Sequence, residues 1–544
     1  MKRVLIIGSG ISGLSCAIHC ARQGIHAVLV SPYPSERSQS VMAAGGINAV
    51  TSRHEEGDSV LSHIEDTLRG GCCLAGEAAV SGLCSSAEEI LLFLESIGTV
   101  FSVDREGRPM RRAFGGQSHK RTYYCGTGTG KLIISSLVME ARRYESEGLI
   151  TRRMRCFFHS ALIHDGVCSG VLLYDEGTKK LEAEYADAVV IACGGQNALF
   201  GKTTGSTLCD GYAAGRLFLQ GIELKNLEFI QFHPTTLETS NKRMLISEAV
   251  RGEGGRLFYI ENGKRVYFLE EKYGERGNLM TRDVISREMA ATGRDIYLDI
   301  SFLDRRLIDE RLGEVRDLCF KYRGIDISRE PIPVAPSVHF FMGGIAVHLN
   351  HETNVRNLFA VGECASMYHG ANRLGGNSLL AAMYSGQVAA DEIAGRKSDS
   401  CTHDFASEIE DRRRTLRQKL DTQSPFPAMY IRDMAADTLR KSLGIVREEE
   451  SLKQGIESIE YYMHAAEQIH YDSSASPYMN YSLTGILTVG RAAFQCALER
   501  RESRGAHFRK DYPAADDAQQ YASVISYENG SYRIRLDKEH FYES

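Results

Sequence analysis

The stretch Val4-Leu-Ile-Ile-Gly-Ser-Gly-Ile-Ser-Gly13 decides the fold of this 544-residue chain. Its apolar beginning predicts a buried strand, and Gly8, Gly10 and Gly13 then have the spacing GxGxxG. A helix of small residues follows, and a second apolar strand ends at Val30. The three glycines permit a tight turn, a close approach to a pyrophosphate and close packing of helix on strand. The sequence therefore predicts an α/β, Rossmann-like nucleotide-binding unit.

Two later segments repeat the pattern of a buried strand followed by glycine. Ala188-Val-Val-Ile-Ala-Cys-Gly-Gly195 ends in paired glycines, and Leu358-Phe-Ala-Val-Gly-Glu-Cys364 ends in Gly362 and Glu363. Ligands of such sheets bind outside the carboxyl ends of the strands. We therefore expect all three segments to meet at one site.

The chain is too long for one hydrophobic core, so several domains are expected. We predict a discontinuous nucleotide-binding domain formed by residues 1–235 and 333–395. Residues 236–332 have a mixed, charged pattern that predicts an inserted α+β domain. After about residue 396 the pattern is helical, which predicts a C-terminal helical domain spanning residues 396–544.

Composition narrows the functional class. The net charge of −6 and the scattered Lys and Arg argue against a nucleic-acid partner. The 14 cysteines include no CxxC pair, so neither a metal site nor an iron–sulfur cluster is predicted, and many unpaired thiols fit a reducing compartment. The longest uncharged stretch, residues 331–351, is broken by Pro, Gly and His and predicts no membrane span. The chain begins with a strand-like run, so no signal peptide is expected.

The segment His369-Gly-Ala-Asn-Arg-Leu-Gly-Gly-Asn-Ser378 combines an arginine with small residues. Arg373 can bind a carboxylate through two hydrogen bonds. Asn377 and Ser378 precede a run of helix formers, so we predict that they cap a helix whose start attracts an anionic group.

These features resemble the flavoprotein subunits of fumarate reductase and succinate dehydrogenase, with L-aspartate oxidase as a near relative. The resemblance covers nearly the whole chain. Its motifs are Gln231-Phe-His-Pro-Thr235, Ser247-Glu-Ala-Val-Arg-Gly-Glu-Gly-Gly255, Thr281-Arg-Asp283, His339-Phe-Phe-Met-Gly-Gly344, the His369–Ser378 segment and Glu502-Ser-Arg-Gly-Ala-His507.

The resemblance implies FAD in the nucleotide-binding domain and an inserted domain that caps a dicarboxylate. The residues implied to contact FAD are Gly8, Gly10 and Gly13 at the pyrophosphate, Ser31 near the adenosine, and Gly45, Gly46, Asp210, Glu363, Ser378 and Leu379. Members with covalent FAD have a histidine where this chain has Gln39, and an amide cannot form that bond. Non-covalent FAD is therefore expected, which favours fumarate reduction over succinate oxidation. Ala44 also replaces the usual Gln or Glu before the glycine pair.

The resemblance also implies the residues that act on a C4-dicarboxylate, fumarate or succinate. Arg373 and His339 are expected at one carboxylate, and His233 and Ser247 at the other. Arg282 matches the family's proton donor, resupplied through Glu248 and Arg251. No cluster or haem motif is present, so electrons are expected from a separate iron–sulfur protein, with the chain cytoplasmic or held at the membrane by partner subunits.

Two other functions remain open. L-aspartate oxidase uses the same fold, and the stretches His63-Ile-Glu-Asp-Thr-Leu68 and Gly324-Ile-Asp-Ile-Ser-Arg-Glu-Pro-Ile-Pro333 favour it. That enzyme has a carboxylate for the substrate ammonium where this chain has Phe114, and a phenyl ring cannot pair with a buried ammonium. The second alternative is an electron-transfer subunit without dicarboxylate turnover. A reductase of another unsaturated acid fits the paired cations less well.

Overall fold

The computed structural model describes residues 1–52, 57–126, 128–240, 242–397, 403–421, 427–469, 477–538 and 542. At its centre is a five-stranded parallel sheet, which we call the central sheet. Its strands, in spatial order, are Leu358–Ala360, Ala188–Ile191, Arg3–Ile7, His26–Ser31 and Ile150–Met154. The three strands predicted from the glycine segments are thus adjacent, and their carboxyl ends meet at one edge, as expected.

Helices cover the central sheet because its strands are apolar on both faces. The helix Ile11–Arg22 follows the first glycine turn and packs against Asn377–Gly395 and Thr129–Ser146. Further helices in the first half of the chain are Val60–Gly70, Glu77–Ser85, Ala87–Ser96 and Tyr212–Phe218. The start of Ile11–Arg22 therefore lies at the edge where the strands end.

A six-stranded sheet, which we call the capping sheet, forms from the middle of the chain. Its strands in spatial order are Arg243–Leu245, Ile230–Glu238, Ile332–Phe341, Ile296–Asp299, Arg256–Glu261 and Lys264–Val266. The helices around it are Ala249–Gly252, Phe268–Tyr273, Arg282–Thr292, Arg305–Arg311 and Gly313–Arg323. Buried apolar residues from Leu237 to Val334 in the sequence form a core that is separate from the core of the central sheet.

Two long strands of the capping sheet cross the predicted domain boundaries at residues 236 and 332. Ile230–Glu238 pairs antiparallel with Ile332–Phe341, with His233 opposite Ser337 and Gln231 opposite Phe340. The exact boundaries stay a prediction.

Three further sheets complete the β-structure of the described residues. One contains Cys156–His164, Val167–Asp175 and Lys180–Tyr185, and another Ile47–Asn48, Thr122–Tyr123 and Arg111–Arg112. The third contains Ala365–Ser366, Gly344–Ala346, Leu224–Lys225 and a hairpin, Ser523–Glu528 with Ser531–Leu536.

The C-terminal part is helical, as its charge pattern predicts, through Ala406–Asp421, Ala428–Ser442, Glu449–Glu467 and Pro477–Glu499. The hairpin that follows was not predicted. Leu439, Leu452 and Phe494 belong to the same apolar core as the central sheet. None of the helices in the described part of the chain has the length and apolarity needed to cross a membrane.

Candidate active site

A cavity of about 490 Å³ lies at the carboxyl ends of the central strands. It is lined by most of the residues that the sequence analysis assigned separately to cofactor and substrate. The predicted cofactor residues in its walls are Gly8, Gly10, Ser31, Gly45, Gly46, Glu363, Ser378 and Leu379. The predicted substrate and catalytic residues are Phe114, His233, Ser247, Glu248, Arg282, His339 and Arg373. Three predicted residues, Gly13, Asp210 and Arg251, do not line it.

The glycine turn forms a cradle that side chains would fill. Gly8 has φ +120°, and a Cβ there would lie 2.2 Å from the carbonyl oxygen of Ala192. A Cβ on Gly13 would lie 2.1 Å from the carbonyl oxygen of Gly8, so Gly13 serves close packing beneath the cradle. The helix Ile11–Arg22 begins after Gly10 without a side-chain cap. Its N-terminus therefore suits a diphosphate.

The neighbouring wall fits the remainder of a dinucleotide. Ser31 lies in the wall, and its hydroxyl donates to the carbonyl oxygen of Tyr33 at 2.7 Å. Ser38 also lines the cavity, and its buried Oγ has no hydrogen-bond partner among the described residues. The cavity volume lies in the range of cofactor sites. The donors, the cradle and the volume together fit FAD.

Glu363 is buried in the same wall. Burial raises its pKa to about 7, although the backbone N–H of Phe341 donates to its Oε1 at 3.1 Å. A Cβ on Gly195 would lie 2.2 Å from Oε1, so the paired glycines make room for this carboxyl. Its position in the cavity suits an acceptor for a ligand hydroxyl.

The helix predicted after Ser378 begins earlier, at Asn377, with Gly376 at φ +84° as its N-cap. The predicted capping by Asn377 and Ser378 is therefore wrong. The Asn377 side chain instead accepts from Asn48 Nδ2 at 2.7 Å and donates to Thr67 at 2.9 Å. The buried Asn48 sits where a Gly376 Cβ would be, so the loop needs glycine to close over it.

Asp210 is placed behind the cavity wall. It accepts from the backbone N–H of Tyr212 at 3.2 Å and pairs with Arg432 of the helix Ala428–Ser442 at 3.5 Å. This carboxylate therefore links the start of the helix Tyr212–Phe218 to the helix Ala428–Ser442.

Arg282 and Arg373 meet at one amide. Arg282 Nη1 and Arg373 Nη2 donate to Oε1 of Gln231 at 2.9 and 3.1 Å. The Nε2 of Gln231 donates to Asn372 Oδ1 and to the Arg373 carbonyl oxygen, both at 2.8 Å. All three side chains are buried, so two cations are held together away from water.

Arg373 can donate further hydrogen bonds to an anion in the cavity. Its guanidinium stacks 4.3 Å from the centre of the Phe340 ring, and its Nε lacks a hydrogen-bond partner among the described residues. Burial, and then the charge of Arg282, hold the pKa of Arg373 well below the usual arginine value. A carboxylate in the cavity would relieve both effects.

His233 and His339 lie beside the arginines, with their ring centres 5.1 Å apart. His339 Nδ1 shares a 2.8 Å hydrogen bond with Thr204 Oγ1. Burial first, and then the charge of Arg282, hold the pKa of His233 well below its usual value, and burial does the same for His339. The lowered pKa favours the neutral form of both rings. Ser247 lines the same cavity.

Glu248 joins Arg282 to Arg251. Arg282 donates to Glu248 Oε2 from Nε at 2.9 Å and from Nη2 at 2.8 Å. Arg251 Nη2 lies 3.6 Å from Oε1, which also accepts from the N–H of Gly115 at 2.8 Å. Burial opposes ionisation, but Arg282 and Arg251 lower the pKa of Glu248 to about 2. The carboxylate is therefore ionised between two guanidinium groups.

Phe114 is a buried wall of the cavity. Cβ atoms on Gly45 and Gly375 would lie 3.3 and 2.9 Å from its side chain, so small residues on both sides accommodate the ring. Ala44 lines the cavity next to it. The side chains of Phe114 and Ala44 carry no charge that could pair with an ammonium.

The comparisons with known proteins agree with this architecture. A family model described as FAD binding domain matches residues 3–379, and one described as fumarate reductase flavoprotein C-term matches residues 432–543. The chain is 34% identical to the succinate dehydrogenase flavoprotein subunit of Bacillus subtilis, over 94% of this chain and 92% of that one. It belongs to the succinate dehydrogenase/fumarate reductase flavoprotein family.

Other family members and structures show the breadth of the likeness. L-aspartate oxidase of Pyrococcus furiosus is 33% identical over 97% of this chain and 99% of its own. FrdA from an E. coli quinol fumarate reductase superimposes with a TM-score of 0.90 at 28% identity, covering 98% of this chain and 97% of that one. Like its family, this chain is a flavoprotein oxidoreductase that binds FAD.

The sequence analysis missed Gln231 as a site residue of this flavoprotein. The residue was quoted within the Gln231–Thr235 motif, but an amide carries no charge to mark it. The signal available was its place two residues before His233, which puts both side chains on one face of a strand.

Proposed function

We propose that this chain reduces fumarate to succinate as the flavoprotein subunit of a fumarate reductase. The observation that carries the proposal is the shared contact of Arg282 and Arg373 with Gln231 in the FAD cavity. Two buried cations, with His233 and His339 beside them, suit a substrate that bears two carboxylates.

Each carboxylate has an assigned partner in this proposal. Arg373 and His339 bind one carboxylate, and His233 and Ser247 bind the other. The neutral histidines gain protons when a dianion enters, because its charge raises their pKa. The four side chains then fix the alkene against the flavin, which is the proximity contribution to catalysis.

Reduced FAD held in this cavity would supply the hydride for one alkene carbon. Arg282 donates a proton from its guanidinium to the other carbon, which completes succinate. The ionised Glu248 first accepts a proton from Arg251 and then passes it to the deprotonated Arg282, and bulk water returns a proton to Arg251. Arginine is a weak acid, so this step needs the strongly basic, carbanion-like centre that forms in a closed site.

The FAD is non-covalent in this proposal. Gln39 lies in the cavity wall, and its Oε1 accepts from the backbone N–H of Ser206. The proposed cofactor contacts are the cavity residues Gly8, Gly10, Ser31, Gly45, Gly46, Glu363, Ser378 and Leu379. Gly13 and Asp210 support the cavity wall from behind in this proposal. An amide provides no nucleophile for a flavin link.

The remaining proposals concern domains, partner and location. The capping domain is proposed to span residues 236–332, because the buried apolar residues from Leu237 to Val334 form a core of their own. It is inserted between the two parts of the FAD domain, residues 1–235 and 333–395. The C-terminal domain follows from residue 396. The similar Mycobacterium smegmatis structure is described as an Sdh1 complex, which supports electron-transfer partners. We propose a separate iron–sulfur protein that passes electrons to FAD and a cytoplasmic location, free or on partner subunits.

L-aspartate oxidase is the second candidate. The identity with the Pyrococcus furiosus enzyme over 99% of its length favours it. Phe114 opposes it, because the buried ring offers the substrate ammonium no counter-charge.

Two assays on the FAD-loaded protein separate the candidates. The first measures oxidation of reduced viologen by fumarate, and the second measures hydrogen peroxide formed from L-aspartate and oxygen. We expect turnover in the first alone. Turnover with L-aspartate alone would establish the second candidate, and FAD reduction without turnover of either substrate would indicate an electron-transfer subunit.

A further inference from the structure

Lys242 brings an ammonium group to the wall of the FAD cavity. Its Nζ donates to the thioether sulfur of Met42 at 3.2 Å, and it forms no ion pair with a carboxylate of the described residues. A thioether is a weak acceptor. The half-buried ammonium therefore lacks a counter-charge, and burial lowers the pKa of Lys242.

The backbone fixes Lys242 in this position. Thr239 donates to the Lys242 carbonyl oxygen from its hydroxyl at 2.6 Å and from its N–H at 3.0 Å. The next residue, Arg243, donates its N–H to the carbonyl oxygen of Thr203 at 3.1 Å. The hairpin formed by Ile230–Glu238 and Arg243–Leu245 is thus attached to the loop that contains Thr203.

The neighbouring cation differs in its surroundings. Arg243 also lines the cavity, but it pairs with Glu238 at 3.2 Å, which offsets its charge. Lys242 has no such partner in the described part of the chain. Its charge is therefore available to whatever occupies the cavity.

The contact with Met42 places Lys242 beside the segment Gln39–Met42. The same segment holds Gln39, which stands where covalent family members attach the flavin. Gln39, Met42 and Lys242 all line the cavity that fits FAD, and the FAD proposed above would place its flavin near this segment. A cation that faces a flavin in a site of low dielectric stabilises the negatively charged reduced form.

We propose that Lys242 is a cofactor-tuning residue whose ammonium stabilises the anionic reduced flavin and raises the reduction potential of the bound FAD. The proposal rests on bound FAD and does not depend on the substrate. It gives this chain an electrostatic means of raising the potential at the place where a covalent link is missing.

The test measures the midpoint potential of the FAD-loaded protein against a redox dye, without substrate. Lys242→Met and Lys242→Gln remove the charge, and Lys242→Arg keeps it. Lys264→Met is the matched control, because Lys264 is exposed on a distant hairpin of the capping sheet. We expect a more negative potential in both neutral variants and an unchanged potential in Lys242→Arg and Lys264→Met.

The dissociation constant of FAD, measured at low and high salt, tests whether the ammonium instead pairs with the pyrophosphate of FAD. If the neutral variants bind FAD more weakly, with a changed salt dependence but an unchanged potential, the ammonium meets the pyrophosphate and the proposal is wrong. The proposal is also wrong if the neutral variants cannot retain FAD while Lys242→Arg does. Potentials equal to that of Lys264→Met would also overturn it.

Discussion

Arg282 and Arg373 donate to the same oxygen atom, Oε1 of Gln231, although they lie 91 positions apart in the sequence. Arg282 begins a helix of the capping region, and Arg373 lies in the loop before the helix Asn377–Gly395. One uncharged amide thus sets the spacing of two cations. It also joins the capping region to the loop before the helix Asn377–Gly395.

Replacing Gln231 tests this arrangement. Gln231→Leu removes both charge-assisted hydrogen bonds, so we expect the KM for fumarate to rise about 10- to 100-fold, with a smaller change in kcat. Gln231→Glu keeps an acceptor but adds a negative charge, which weakens binding of a dianion. Unchanged KM values in both variants would show that the amide does not position the arginines.

Arg282→Lys tests the proton donor. The lysine keeps a positive charge but cannot reproduce the contacts of Arg282 with Glu248 and Gln231. We expect kcat for fumarate to fall by about 10²- to 10⁴-fold, with FAD content unchanged. Arg294→Lys is the control, because Arg294 pairs with Glu261 on the surface. A variant that turns over fumarate at the wild-type rate would exclude Arg282 as the donor.

Glu248→Gln removes the carboxylate between Arg282 and Arg251. We expect slower fumarate reduction and a loss of about 3 kcal/mol in the free energy of unfolding, because a buried guanidinium loses its partner. The pKa of Glu248 is lowered to about 2, so its contribution is present above the ordinary glutamate pKa and is lost as the pH falls toward 2. Denaturant titrations of both proteins at about pH 6 and about pH 3 should therefore show a smaller difference at the lower pH. An equal difference at both pH values would contradict the ion pair.

We expect Glu363 to give the stability of the FAD-free protein the opposite pH dependence. Burial raises the pKa of Glu363 to about 7, so the neutral carboxyl is favoured on folding. Its contribution to stability is present below the ordinary glutamate pKa and is lost as the pH rises through about 7. Thermal unfolding of the FAD-free protein should show this loss, and Glu363→Gln should not. Parallel pH profiles for the two proteins would contradict it.

The mode of FAD attachment has a direct test. Acid precipitation of the holoprotein should release all flavin into the supernatant, because Gln39 cannot bond to it. Flavin fluorescence of the supernatant and of the washed pellet measures the two fractions. Flavin retained in the pellet would show a covalent link to another residue.

Much of the fold follows from local patterns. The strand Arg3–Ile7 and the helix Ile11–Arg22 were predicted because apolar runs and glycine spacing act over short distances. The predicted start of the helix Asn377–Gly395 was wrong, because capping propensity favoured Asn377 and Ser378 as the cap and the structure has Gly376 there. The tertiary partners Asn48 and Thr67 engage the Asn377 side chain instead.

The sequence by itself determined the nucleotide-binding architecture, the family and the residue types gathered for an anionic substrate, because these depend on short motifs. Only the tertiary structure decided that Gln231 joins Arg282 to Arg373 and that Lys242 faces the cofactor cavity without a carboxylate partner among the described residues. Such contacts join distant segments, and whether a charge is balanced depends on which side chains folding brings beside it.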